Sequence, residues 1–135
     1  MARWLVDGMN VVGSRPDGWW RDRDRAVRDL SADLHHFAQE TGDEVAAIFD
    51  GREVDVPPGP ARIDFARRRG RNAADDDIAA AAEADARDLV VVTSDARLAE
   101  RVRAAGAGVE GAGAFRGRLA RTVALPEESE QDHGH

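Results

Sequence analysis

Aspartates stand beside short apolar runs at four places in this 135-residue chain: Leu5-Val6-Asp7-Gly8-Met9-Asn10, Ile48-Phe49-Asp50-Gly51, Ala74-Asp75-Asp76-Asp77-Ile78 and Val90-Val91-Val92-Thr93-Ser94-Asp95. Carboxylates gathered at one place repel, and they must take up protons or collect cations. Hard oxygen donors of this kind suit Mg²⁺ or Mn²⁺. One such ion, or two at ~3.5–4 Å, generates a hydroxide and neutralises charge on a leaving oxygen, which is the chemistry of phosphodiester hydrolysis.

That chemistry requires elements that bring the four places together. Trp4-Leu5-Val6 reads as a short buried strand, followed by a loop with Gly13, Pro16 and Gly18. From about Trp20 to Glu40, Val27, Leu30, Leu34 and Phe37 recur at helical spacing, and Thr41-Gly42-Asp43 ends the helix. Val45 to Phe49 is a second strand, Pro57-Pro58-Gly59-Pro60 enforces an extended connection, and Ile63 and Phe65 alternate with charges as a third strand. An alanine-rich helix from about Ala74 to Ala86 opens on aspartates, which favour the positive end of its dipole. Leu89 to Thr93 is a β-branched strand buried on both faces. Ser94 or Asp95 caps a helix carrying Leu98, Val102 and Ala105, Val109 marks a weak last strand, and Arg116 to Arg121 form a short terminal helix.

The alternation predicts a three-layer α/β/α sandwich around a mainly parallel sheet. In such sheets ligands bind outside the carboxyl ends of the strands, so Asp7, Asp50 and Asp95 are expected to converge there with Asp75 and Asp76. The domain is expected over residues 1–125, with 126–135 a disordered acidic tail.

Composition narrows the classes. The chain has no cysteine, which excludes disulfides and thiolate chemistry, and no lysine, which excludes a P-loop. No run reaches membrane-spanning length and the N-terminus has no signal-peptide core, so a cytoplasmic protein without a membrane partner is expected. Of the net charge of −7, Glu127, Glu128, Glu130 and Asp132 account for a large share, whereas five arginines and one aspartate lie between Arg62 and Arg71.

Val6-Asp7-Gly8-Met9-Asn10 resembles the opening Asp-Gly-x-Asn signature of NYN domains in the PIN-like nuclease superfamily, and the YacP-like branch is the most similar. The likeness continues through Phe49-Asp50-Gly51, Ala74-Asp75-Asp76 and Val92-Thr93-Ser94-Asp95, over roughly residues 3 to 120. It implies a metal-dependent ribonuclease with Asp7, Asp75, Asp76 and Asp95 as its acidic centre and Asn10 as a polar accessory. Asp7 and Asp95 are expected as direct ligands of Mg²⁺ or Mn²⁺, with Asp75 and Asp76 completing the coordination or holding water. Asp50 is expected to bind through water or orient a neighbour, and Asn10 to fix a ligand or contact a scissile phosphate.

Blander roles compete. An aspartate after a strand often forms a turn or caps a helix. Asp77 reads as a solvated helix charge, and His35 and His36 as surface residues. Arg67, Arg68, Arg69 and Arg71 read as an RNA phosphate track or as a salt-bridged loop. Trp19, with Trp20, stacks unpaired bases or staples a helix start to the core. The expected partner is RNA, single-stranded or structured, with the ribosome and a second copy of the chain as further candidates. The alternative is a non-catalytic RNA-binding or ribosome-associated module on the same fold.

Overall fold

The computed structural model describes residues 1–66 and 72–133, with side chains described through residue 122. Five strands, β1 (Arg3–Asp7), β2 (Glu44–Phe49), β3 (Arg62–Phe65), β4 (Leu89–Val92) and β5 (Gly108–Glu110), form one sheet in the order β3-β2-β1-β4-β5. Every pairing is parallel. The helices are α1 (Gly8–Gly13), α2 (Arg23–Thr41), α3 (Ala73–Ala84), α4 (Ala96–Ala104) and α5 (Ala112–His133).

The two-residue period of the strands sorts side chains into two cores. Trp4, Val6, Val45, Ala47, Phe49 and Val92 face α1, α2 and α5. Leu5, Leu89 and Val91 face Ile78, Ala79 and Ala82 of α3 and Leu98 and Val102 of α4. The result is the expected three-layer sandwich, with the sheet wholly parallel. On the first face Trp4, Phe37 and Phe115 form an aromatic triad with centroids 5.4–5.6 Å apart.

Several elements differ from expectation. Gly8–Gly13, expected as loop, is helical; its Val11 and Val12 are driven into the core, a tertiary gain that outweighs two glycines and two β-branched residues. The helix expected from Trp20 is split into a 3₁₀ turn at Trp19–Arg21 and α2, because Asp22 leaves helical geometry to cap α2 through the Arg25 N–H. The terminal helix is longer than Arg116 to Arg121 and continues past Pro126, through the segment expected to be disordered, to His133. Proline has no N–H to give the carbonyl four residues earlier. That carbonyl, of Thr122, lies 3.3 Å from His36 Nε2.

The histidines are therefore not simple surface residues. The parallel β2–β3 crossover has no helix; residues 50–61 cross the α2 face in extended form, burying Val54 and Ala61. His35 fastens this connection: Nδ1 accepts the Ala61 N–H (3.1 Å), which fixes the proton on Nε2, 3.0 Å from the Pro57 carbonyl.

Candidate metal centre

Strand order reverses between β1 and β4, so the carboxyl ends of these two strands border the crevice in which α/β sheets bind ligands. Asp7 closes β1 and Thr93-Ser94-Asp95 follows β4. Asp50 follows β2 at the same end, and α3 and α4 begin there.

Asp7 occupies the N-cap position of α1 but makes no capping bond. Its Oδ2 instead accepts the Thr93 hydroxyl across the switch point at 2.9 Å, and Thr93 Oγ1 accepts the Asp95 N–H at 3.1 Å. Asp7 is 5% exposed and Thr93 2%. Burial pushes the Asp7 carboxyl up to about 6, against the lowering effect of the Thr93 hydroxyl; the Asp75 and Asp50 carboxylates push it further. The glycine after Asp7 is required by packing, since a Cβ on Gly8 would overlap the Phe49 ring. Asn10 is a tie: its Oδ1 accepts the Ser94 N–H at 2.8 Å, locking α1 to the loop after β4.

Asp50 and Asp95 do perform the blander duties, through one oxygen each. Asp95 Oδ1 caps α4 by accepting the Arg97 and Leu98 N–H groups. Asn72, at the N-cap of α3, has φ 67° and makes no side-chain cap; Asp50 supplies it from β2, Oδ1 accepting the Ala74 N–H at 2.8 Å. Arg23 holds this corner by donating to the Asp50 and Arg52 carbonyls (2.7 and 3.1 Å), an approach that Gly51, at φ 96°, leaves room for.

Asp75 and Asp76 lie in the first turn of α3. The Asp75 carboxyl is raised by burial first and then by Asp95, Asp50 and Asp76, with Arg101 opposing. Asp75, Asp76 and Asp95 line a cleft of about 370 Å³ together with Arg97 and Arg101. The five aspartates picked out by sequence thus share one end of the sheet and one electrostatic field. Among the described residues no three of them close into a ready-made metal cage. The donor set nonetheless fits a hard divalent cation: all are carboxylates, and Asp7, Asp50 and Asp95 each commit one oxygen to the protein bonds described here.

The remaining expectations fare differently. Arg67, Arg68, Arg69 and Arg71 lie outside the described residues. Trp19 packs against the core, its ring edge-on to Trp20 at 6.2 Å; Trp20 is the exposed ring, 62% accessible, with the Arg21 guanidinium 6.0 Å from its centroid. Sequence reasoning gave no role to Thr93, Arg97 or Arg101. The four-residue spacing of the two arginines after a capping aspartate was the available signal.

Two crystal structures resemble the chain over nearly its whole length. The W164L mutant of Rae1 (YacP) from Bacillus subtilis has a TM-score of 0.84 at 21% identity, covering 99% of this chain and 84% of that one. A second structure of Rae1 (YacP) from Bacillus subtilis has a TM-score of 0.81 at 22% identity, covering 98% of this chain and 81% of that one. These likenesses bear on the fold. No curated protein matches the chain significantly. The model of the YacP-like NYN domain matches residues 4–133, and the chain belongs to that family.

Proposed function

We propose that the chain is a metal-dependent ribonuclease, cutting RNA within the strand at the acidic end of the sheet. The observation that carries this reading is Asp7: a carboxylate held in the core at the switch point, its ionised form disfavoured by burial and by Asp75 and Asp50. A divalent cation relieves such a site, and selection for stability alone gives no reason to build it. Membership in the NYN family favours RNA as the substrate. Asp7, Asp75, Asp76 and Asp95 would hold Mg²⁺ or Mn²⁺, which supplies an activated water and neutralises charge on the leaving oxygen. Thr93 orients Asp7, Asp50 sets the start of α3 and hence Asp75 and Asp76, and Asn10 fixes the loop bearing Asp95. Asp76 and Arg101 are about half exposed, so the acids at the cleft can be reached from solvent.

The test is cleavage of labelled single-stranded and hairpin RNA with Mn²⁺, Mg²⁺ or EDTA. Metal-dependent cutting is expected, reduced about a thousandfold or more in Asp7→Asn and Asp75→Asn, in line with the several kcal/mol a metal contributes to the transition state. The lack of a ready-made cage among the described residues favours one second reading, a non-catalytic RNA-binding module. Tight RNA binding without cutting under any metal would establish that alternative.

A further inference from the structure

A polyanion must approach carboxylates to be cut at this site, and Coulomb repulsion opposes the approach. The cleft contains a counterweight. Arg97 and Arg101 lie one turn apart on the same face of α4, both exposed, and both line the cleft that holds Asp75, Asp76 and Asp95. Leu98 and Val102, buried in the second core, anchor the helix from its other side. Arg101 Nη1 donates to Asp76 Oδ1 at 3.0 Å, with the two side chains 46% and 47% exposed. An ion pair this open is held weakly, and this bond engages one of the five donors of the guanidinium.

We propose that Arg97 and Arg101 form a phosphate-gripping wall that lays the backbone of a single RNA strand along α4 and against the aspartates, with Arg101 exchanging Asp76 for a phosphate oxygen as RNA enters. The inference rests on the ribonuclease reading and deepens it by naming the substrate form. A cleft of about 370 Å³ is at the small-molecule end of ligand sites, a size that takes one nucleotide of a single strand. The planar guanidinium fork matches a phosphate as a bidentate donor.

The test is binding of labelled single-stranded RNA as a function of salt, measured in Mg²⁺ on the cleavage-impaired Asp75→Asn protein, with Arg97→Ala, Arg101→Ala or Arg103→Ala added. Each phosphate contact contributes about 0.7 to the slope of log affinity against log salt on a single strand. Arg97→Ala and Arg101→Ala are each expected to weaken binding several-fold and to lower that slope by about this amount, and Arg101→Lys to keep part of the affinity. Arg103→Ala makes the same charge change on the same helix away from the cleft lining and is expected to leave the slope alone. In the otherwise native chain the two cleft variants should raise KM and change kcat little. Native protein that cuts RNA while the cleft variants keep its salt slope would overturn the wall and leave the ribonuclease standing. Equal losses in all three alanine variants would also overturn it, as a nonspecific charge effect. Native protein that neither binds nor cuts RNA removes the ribonuclease reading and the wall together.

Discussion

Asp7 stands at the N-cap position of α1 without closing a capping bond, and its carboxylate accepts the Thr93 hydroxyl across the switch point, with the Asn10 backbone N–H also favouring its charged form. The consequence is measurable without any substrate. The folded pKa, about 6, lies above the ordinary 3.8, so between these values the folded chain holds a proton that the unfolded chain has lost. Stability from this group is fully present below pH 4 and lost as pH rises through 6, a loss of about 3 kcal/mol by pH 7. Asp7→Asn keeps an acceptor for Thr93 and removes the charge. In metal-free buffer it is expected to melt several degrees above the native chain at pH 8, with the gap closing near pH 4. An equal difference at both pH values, or a less stable variant at pH 8, would show that the carboxylate is not strained by its surroundings.

Asp50 joins two elements distant in sequence, capping a helix that starts after residue 72 from the end of a strand that stops at residue 49. The local cap is deficient, because Asn72 adopts a left-handed conformation and its side chain makes no capping bond. Loss of a cap costs about 1 kcal/mol. Asp50→Ala is therefore expected to lower the unfolding free energy by about that amount, while Asp50→Asn, which keeps the accepting oxygen, stays close to native in denaturant titration. If both variants were equally stable, the bond across the fold would carry no weight. In RNA cleavage the two should be ranked likewise, with Asp50→Asn the more active, since its cap still sets the first turn of α3 and with it Asp75 and Asp76.

For the molecule as a whole, the proposed metal site at the sheet end carrying the five carboxylates would make metal binding and folding linked equilibria. Binding to the folded state alone adds about 2.7 kcal/mol at a hundredfold excess over Kd, which for a chain of this size is a Tm gain of about 10 °C. Mn²⁺ is expected to produce such a rise in the native chain and little of it in Asp75→Asn, read by calorimetry. A Tm indifferent to Mn²⁺ and Mg²⁺ would count against a resident metal centre.

The sandwich, the parallel sheet and the five aspartates were legible in the sequence because they depend on short-range regularities: a short apolar run at Trp4-Leu5-Val6, alternation of Ile63 and Phe65 with charges, a β-branched run at Val90-Val91-Val92, helical spacing from Val27 to Phe37 and acids at the run ends. Helix α1 was not, since its residues favour it weakly and contacts distant in sequence stabilise it, chiefly the burial of Val11 and Val12. Nor was the helical course beyond Pro126, nor the choice between Trp19 and Trp20 as the exposed ring, because helix breakers and exposure are judged against neighbours far along the chain. The sequence by itself determined which carboxylates are present and that strand ends carry them. Only the tertiary structure decided that the sheet order reverses between β1 and β4, that Thr93 and Asn10 tie the two sides of that reversal, and that Arg97 and Arg101 face the acids. Strand order and helix rotation are set by packing between segments distant in sequence, and no local pattern encodes them.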